Sequence, residues 1–239
     1  MSVKKEEIRE NKPLRLVIKI GRHVFPSDLD SKIISVYAEL FCKLRAEGHR
    51  IVVVTGGGGE ARRYISIVRE LGGSEFACDL LGIDVSRINA KLLITKLGDE
   101  AFPEPPSSLG ELRKAFDGGK IIVIGGLQPG QSTNAVAALA AEAIRADLFI
   151  NTTDVEGVYT ANPKVDINAK KLDVIETDEL LKQSLMGELH AGSYELFDPI
   201  AIKIVERSQI PTRIINGLKP ENVIRVVKGE AVGTLVKPS

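Results

Sequence analysis

Apolar runs alternate with amphipathic stretches between residues 14 and 151. The runs at residues 14–20, 51–54, 120–124 and 148–151 are rich in β-branched residues and predict buried strands. Residues 30–47 carry apolar side chains at helical spacing, and further helices are predicted at residues 60–71, 78–97, 109–116 and 135–146. Continuous apolar strands that alternate with helices predict a three-layer αβα sandwich with a mainly parallel central sheet.

The pattern changes after residue 151. Residues 155–160 predict a short hairpin arm and residues 166–175 a loop. Helices are predicted at residues 177–185, 198–208 and 221–228, and strands at residues 212–215 and 234–236. No linker rich in Gly, Pro or Ser separates the halves. We therefore expect a single domain at residues 14–239, whose lobes 14–151 and 152–239 share one sheet, preceded by an N-terminal extension at residues 1–13.

Two glycine-containing loops each follow a predicted strand and precede a predicted helix. One spans residues 125–134 and also carries amides and hydroxyls; the other spans residues 55–59. Backbone N–H groups in such loops, with the partial positive charge of a helix N-terminus, bind anions. Ser132 and Thr133 are suitable caps for the following helix. Two anion-binding loops on one sheet predict two phosphorylated ligands, and hence phosphoryl transfer between them.

Composition narrows the classes of partner. Lys plus Arg and Asp plus Glu number 32 each, and this neutral balance argues against nucleic acid or an anionic membrane as the main partner. The sequence has no run of about 18 apolar residues, so we expect no transmembrane helix. The charged N-terminus does not resemble a secretory signal. Cys42 and Cys78 form no CxxC pair, which favours two reduced thiols in a cytoplasmic protein.

Several other chemistries require motifs that the sequence lacks. It contains no GxxxxGK[ST] loop, no HExxH pair and no G-x-S-x-G elbow. We therefore expect no metal held by a cage of protein ligands.

A dinucleotide-binding site is an alternative interpretation of the glycine loop at residues 55–59. Gly56-x-Gly58-x-x-Ala61 matches the GxGxxG/A fingerprint, and Asp79 lies downstream. Asp79 opens a helix-like run, however, whereas the ribose-binding acid of that motif ends a strand. Arg62 also crowds the helix start, which suits a ligand with a terminal phosphate.

A set of motifs, in this order, resembles the amino-acid kinase superfamily and within it the archaeal-type uridylate (UMP) kinases. The resemblance runs from about residue 14 to the C-terminus. Its motifs are Lys19-Ile20-Gly21, Gly56-Gly57-Gly58 with Arg62, Asp79-Leu80-Leu81-Gly82-Ile83, Gly125-Gly126-Leu127-Gln128-Pro129-Gly130-Gln131-Ser132-Thr133, Thr153-Asp154-Val155-Glu156-Gly157-Val158-Tyr159 and Gly192-Ser193-Tyr194-Glu195-Leu196-Phe197-Asp198-Pro199.

That resemblance implies the reaction ATP + UMP = ADP + UDP in pyrimidine nucleotide biosynthesis, with Mg²⁺ held mainly by nucleotide phosphates. It also implies a homohexamer built as a trimer of dimers, and inhibition by UTP. Residues 14–151 would be the UMP lobe and residues 152–239 the ATP lobe. The implied UMP-binding residues are Gly57, Asp79, Leu127, Gln128, Pro129, Gly130, Gln131, Ser132 and Thr133. The implied ATP-binding residues are Lys19, Ile20, Gly21, Arg22, His23, Gly58, Arg62, Thr153, Tyr159 and Asn162.

Two cations are the expected catalytic residues. Phosphoryl transfer between two phosphates requires charge neutralisation and in-line positioning more than covalent chemistry. Lys19 is expected to contact the transferring phosphoryl group. The alternative interpretation is that it is an ordinary solvated lysine at the end of a strand. Arg62 is expected to bind phosphate at the start of a helix. The alternative interpretation is that it is an ordinary arginine on the surface of that helix.

Four other residues have two interpretations each. Asp79 accepts hydrogen bonds from a ribose hydroxyl or caps a helix. The ring of Tyr159 packs against the adenine base or against the core. Asp198 and Lys203 support the site, or cap and solvate their own helix.

The sequence departs from the superfamily pattern at two places. Arg22 and His23 follow Gly21 where a small residue is usual, and the Arg22 side chain could obstruct the phosphate site or add a cation to it. Asn162 stands where an acid is common. Two alternatives stay open: a kinase of an amino acid, carbamate or isoprenoid phosphate on the same fold, and a non-catalytic nucleotide-binding subunit like those of the molybdenum-storage branch.

Overall fold

One seven-stranded sheet organises the chain in the computed structural model, which describes residues 12–163, 165–185 and 196–239. In chain order the strands are β1 Arg15–Ile20, β2 Arg50–Thr55, β3 Ile122–Ile124, β4 Leu148–Thr153, β5 Val174–Glu176, β6 Thr212–Asn216 and β7 Thr234–Lys237. Their order across the sheet is β3-β2-β1-β4-β6-β7-β5. All neighbouring pairs are parallel except β6 and β7. The predicted mainly parallel sheet is confirmed.

Eight α-helices accompany the sheet within the described residues. They are α1 Ser31–Ala46, α2 Gly58–Glu70, α3 Glu75–Leu97, α4 Leu109–Phe116, α5 Thr133–Ile144, α6 Thr177–Leu185, α7 Pro199–Ser208 and α8 Glu221–Val227. Side-chain oxygens of Asp30, Ser132 and Asp198 accept hydrogen bonds from the first turns of α1, α5 and α7. The start of each of these helices therefore follows from its capping residue.

Two apolar clusters cover the two faces of the sheet. One cluster packs side chains from one face of the sheet against α4, α5, α6 and α7. The alanines of α5 form a large part of it. The other joins the opposite face to α1, α3 and α8, with Tyr37 and Phe41 among its largest buried side chains. Helix α2 packs on α3. The three-layer αβα arrangement is thus present, with both faces of the sheet buried.

Three local predictions are corrected. Residues 174–176 form the edge strand β5 and pair with β7, although residues 166–175 were expected to be a loop. The expected hairpin arm at residues 155–160 makes one antiparallel bridge, between Tyr159 and Lys171, and forms no strand. Helix α3 begins at Glu75, capped by Ser74, which is earlier than the apolar spacing indicated. The exposed Phe76 in the first turn of α3 does not fit a pattern in which apolar side chains mark the buried face.

Some expectations fall outside the described residues. These are most of the N-terminal extension, residues 1–11, and the 192–195 part of the last motif. The division into two lobes stays a prediction. Among the described residues, no helix is both long and apolar enough to cross a membrane. Cys42 and Cys78 are both free thiols.

Candidate active site

A cavity of about 280 Å³ lies at the carboxyl ends of β1, β2 and β3. In parallel α/β sheets this edge is the usual place for ligands. Three cationic side chains, Lys19, Arg22 and Arg62, line it, together with the carboxylate of Asp79. The other lining residues are Gly21, Gly56, Gly57, Gly58, Ala61, Ile65, Cys78, Gly82, Ile83, Ser86, Gly126, Gln128, Gln131 and Thr133. Its charged side chains carry an excess of positive charge, which suits a polyanion.

The glycine loop after β2 brings bare backbone to the cavity wall. Gly58 has φ +70°, and a Cβ there would lie 2.1 Å from the carbonyl oxygen of Phe25. A Cβ at Gly57 would lie 2.4 Å from the Cβ of Ala61. Only glycine permits this close packing at the N-terminus of α2, where no side chain caps the helix. The uncapped end of α2 therefore presents backbone N–H groups and partial positive charge to the cavity.

Helix α3 holds both glycine loops in place. The Ser86 hydroxyl accepts a hydrogen bond from Gly126 N at 2.7 Å, and Asp79 Oδ2 accepts one from Gly130 N at 2.8 Å. The Asn89 amide donates to the Gly56 carbonyl oxygen at 2.8 Å. Two N–H groups of the 125–134 loop are thus already bonded to α3, so they are not the anion donors that the sequence suggested.

Asp79 lies within α3 and does not cap it. The N-cap is Ser74, so the capping interpretation of Asp79 is wrong. Its carboxylate both holds Gly130 and lines the cavity. A carboxylate on a helix, away from any strand end, also removes the structural context that the dinucleotide motif requires.

The N-termini of α5 and α7 meet through Ser132 and Asp198. The Ser132 hydroxyl caps α5 and donates to the Asp198 carboxylate, which in turn accepts from Ala201 N at the start of α7. Asp198 therefore caps its helix and also anchors the loop beside the cavity. Lys203 lies elsewhere: its exposed ammonium pairs with Glu206 at 2.6 Å and approaches Asp178 at 4.0 Å.

Two buried amides converge on one carbonyl next to this junction. Asn134 and Asn151 both donate to the Leu196 carbonyl oxygen, at 3.3 and 2.7 Å. Their own amide oxygens are buried and accept no hydrogen bond. Asn151 lies beside Lys19 in the register of β1 and β4. This part of the site is therefore rich in acceptors, a setting that favours a nearby cation or donor.

The loop after β1 carries the two residues that depart from the superfamily pattern. Arg22 reaches across to Asp154, with its Nη2 atom 3.4 Å from Oδ2, and its side chain lines the cavity. It therefore adds a cation to the cavity wall. The ring of His23 turns the other way, towards Tyr37 and Thr152.

A second group of polar residues follows the carboxyl ends of β4 and β6. Glu156 accepts hydrogen bonds from Asn216 and Lys219, both at 2.9 Å, and these contacts lower the pKa of its carboxyl, Lys219 having the larger effect. Thr153 bonds back to the backbone of Val155. The sequence did not indicate this contact of Glu156 with Asn216 and Lys219, because it joins positions 60 or more residues apart.

The expected site residues divide into two groups. The cavity brings together Lys19, Gly21, Arg22, Gly57, Gly58, Arg62, Asp79, Gln128, Gln131 and Thr133. The residues that do not line it are Ile20, His23, Leu127, Pro129, Gly130, Ser132, Thr153, Tyr159 and Asn162. Tyr159 packs against the core cluster on the α5 face, and the Asn162 carbonyl closes a turn by accepting from residues 165 and 166.

Ser86 and Asn89 support the loops but were missed. Both are polar residues within a predicted helix. Both are buried, and their burial could not be inferred from the sequence pattern. Among residues 12–163, 165–185 and 196–239, no group of three or more His, Cys, Asp or Glu side chains forms a metal site.

Comparison with known proteins identifies the family of this chain. Residues 14–216 match the family model described as the amino acid kinase family. The chain belongs to that family, as the resemblance indicated.

Its relatives are uridylate kinases by name. The uridylate kinase of Hyperthermus butylicus is 50% identical over 222 residues, which cover 92% of this chain and 97% of that protein. That of Methanococcoides burtonii is 47% identical over 92% of this chain and 93% of its own length. The crystal structure of uridylate kinase from Archaeoglobus fulgidus superposes with a TM-score of 0.83 at 40% identity, covering 93% of this chain and all of that one.

Proposed function

We propose that this protein is a nucleoside monophosphate kinase that catalyses ATP + UMP = ADP + UDP. The observation that carries the proposal is the cavity itself, in which Lys19, Arg22 and Arg62 surround two glycine loops at the carboxyl edge of the sheet. The names of its relatives support UMP as the acceptor. The reaction places the enzyme in pyrimidine nucleotide biosynthesis.

Charge neutralisation is the main catalytic task. The Lys19 ammonium lies close to Gly21, where a Cβ would be 3.2 Å from Nζ, so a phosphoryl group at this turn meets both bare backbone and a cation. Arg62, in the first turns of α2, offers a planar pair of N–H donors to phosphate. Stabilisation of the transferring group by such fixed cations accounts for catalysis without a covalent intermediate.

The acceptor is assigned to the side of the cavity formed by α3 and the 125–134 loop. Asp79, Gln128, Gln131 and Thr133 line that side and provide the polar groups a uridine monophosphate needs. The remaining residues of the loop, among them Leu127, Pro129 and Ser132, shape it from behind. A ribose hydroxyl would donate to the Asp79 carboxylate, which already accepts from Gly130 N and has capacity for more.

The donor, ATP, is assigned to the edge formed by β1, β4 and β6. Thr153 ends β4 there, Tyr159 and Asn162 follow it, and Glu156 with Lys219 extends the polar surface. Mg²⁺ supplies charge neutralisation between the two nucleotides when bound. We propose that Mg²⁺ would be held mainly by nucleotide phosphates and water, the usual arrangement for this ion beside nucleotides.

Assembly, location and regulation complete the proposal. Copies of this chain are proposed to form a homohexamer, a trimer of dimers, in the cytoplasm, with UTP as an inhibitor. Exposed apolar side chains where α2 ends and α3 begins, among them Leu71 and Phe76, support self-association. Two free thiols support a reducing compartment.

A coupled assay of ADP release tests the proposal. ATP and Mg²⁺ are supplied with UMP, CMP, glutamate, aspartate, carbamate or isopentenyl phosphate in parallel. We expect strong turnover with UMP. Preference for an amino acid, carbamate or isoprenoid phosphate would redirect the acceptor assignment. ATP binding without turnover on any acceptor would favour a storage or regulatory subunit.

A further inference from the structure

A small buried network behind the cavity involves the ring of His23. The Nε2 atom lies 3.0 Å from the Thr152 hydroxyl and 3.3 Å from the Tyr37 hydroxyl. Each hydroxyl already donates elsewhere: Thr152 to the Lys19 carbonyl oxygen at 2.7 Å, and Tyr37 to the Gly217 carbonyl oxygen at 2.6 Å. A hydroxyl has one proton to donate, so both oxygens face His23 as acceptors.

The ring nitrogen between them must therefore be the donor. We propose that His23 is a positioning residue, fixed as the Nε2–H tautomer by Thr152 and Tyr37, which holds the loop after β1 in the shape that phosphoryl transfer requires. The role rests on the proposed kinase function, whereas the tautomer does not.

The place of this network in the fold explains why its loss would reach the reaction. The turn at residues 21–25 contacts the 55–59 loop, because the Phe25 carbonyl accepts from Gly59 N at 2.9 Å. His23 ties the same turn to β4 through Thr152 and, through Tyr37, to the turn that follows β6. The Lys19 carbonyl belongs to the network as well. The His23 side chain thus connects the turn after β1, and through it the 55–59 loop, with β4 and with the turn after β6.

Packing closes around the ring. A Cβ added to Gly217 would lie 2.3 Å from Nε2 of His23, so the turn after β6 lies directly against it. The charged neighbours are Lys19, which opposes protonation, and Asp154, which favours it. Burial has the largest effect and lowers the pKa of His23 to about 3, so the ring is neutral throughout the physiological range.

Nuclear magnetic resonance tests the tautomer directly, with no dependence on activity. In the ¹⁵N-labelled protein, the histidine ring signals of His23 are assigned by their disappearance in His23→Gln. We expect a protonated Nε2, an unprotonated Nδ1, and no titration between about pH 5 and pH 8. An Nδ1–H tautomer, or titration in that window, would overturn the network.

Kinetics test the positioning role. His23→Met keeps an apolar body of similar length without a donor, whereas His23→Gln restores an N–H group near the position of Nε2. We expect kcat to fall about 10- to 100-fold in His23→Met, with a smaller change in KM for UMP, and to recover largely in His23→Gln. The control is His49→Gln, at a histidine outside the cavity that contacts Leu14 N.

The outcomes are separable. Unchanged kcat in His23→Met would overturn the positioning role even where the tautomer is as expected. If the unsubstituted protein turned over no acceptor, the kinase proposal itself would fail, and the resonance experiment would still decide the network.

Discussion

At the scale of single residues, Lys19 is the side chain to which we assign the largest proposed catalytic effect. We expect Lys19→Ala to lower kcat by about 10²- to 10³-fold, because a fixed cation at the transferring phosphoryl group is lost. Steady-state kinetics with ATP and UMP measure this effect. The matched control is Lys203→Ala, since Lys203 is exposed, pairs with Glu206 and lies outside the cavity lining. Equal losses in the two variants would remove Lys19 from its assigned role.

His23 makes stability depend on pH in a defined direction. Its pKa is about 3 in the folded protein, against 6.5 for the ordinary side chain. The unfolded chain therefore binds more protons between these values, and the contribution of His23 to stability, complete above about pH 6.5, declines as the pH falls towards 3. From pH 6.5 to pH 5 the loss is about 2 kcal/mol.

Urea unfolding of the unsubstituted protein and of His23→Gln at both pH values measures this difference. His49 and the carboxylates are common to both proteins, so they cancel in the comparison. We expect the free energy of unfolding of His23→Gln to fall less than that of the unsubstituted protein. Parallel losses in the two proteins would contradict the assignment to His23.

At the scale of elements, the start of α2 depends on glycine for two separable reasons. Gly58 and Gly72 have similar positive φ angles, +70° and +76°, but only Gly58 has backbone within reach of an added Cβ. We expect Gly72→Ala to cost about 1–2 kcal/mol of unfolding free energy. Gly58→Ala should cost about 1–3 kcal/mol more and also raise KM for the nucleotides. Chemical denaturation and kinetics measure both. Equal stability of the two variants would show that the contact with Phe25 is unimportant.

The junction between α5 and α7 provides another comparison of elements. Ser132 and Ser108 both cap helices, but only Ser132 also donates to a buried carboxylate, that of Asp198. We expect Ser108→Ala to cost about 1 kcal/mol, and Ser132→Ala about 2–4 kcal/mol because Asp198 also loses its donor. Urea denaturation measures these free energies, and a cost for Ser132→Ala no larger than for Ser108→Ala would argue against the junction.

The elements also show what a sequence can and cannot predict. The strands, the glycine loops and the caps at Ser132 and Asp198 depend on residues within a few positions, so their patterns predicted them correctly. The edge strand β5 was missed because its partner, β7, lies about sixty residues downstream. Ser86 and Asn89 were missed for the same reason: their partners, Gly126 and Gly56, are 40 and 33 residues away. The loops and helix caps were thus predicted from neighbouring residues, whereas contacts between residues far apart in the sequence were missed.

At the scale of the whole molecule, the proposed hexamer can be tested by substitutions on the exposed apolar surface of α2 and α3. Phe76 is 61% exposed and Leu71 is 81% exposed, at adjoining ends of the two helices. We expect light scattering to give a mass near six copies of the 25.9 kDa chain. Phe76→Glu should lower that mass, because it places charge on an apolar contact.

The control for assembly is Leu218→Glu, at a side chain that is 58% exposed in the turn after β6. It should leave the mass unchanged. A monomer in the unsubstituted protein would contradict the hexamer. An unchanged mass in Phe76→Glu would place the contact elsewhere on the surface.

His23 and Gly217 also have a consequence for how this sequence can evolve. A Cβ at position 217 would lie 2.3 Å from Nε2 of His23 and 2.8 Å from the Cβ of Thr152, so alanine there overlaps two neighbours. Position 217 can therefore vary only together with positions 23 and 152. The three positions should show epistasis, in which Gly217→Ala is harmful in this background and less harmful after His23 and Thr152 are both replaced by smaller residues.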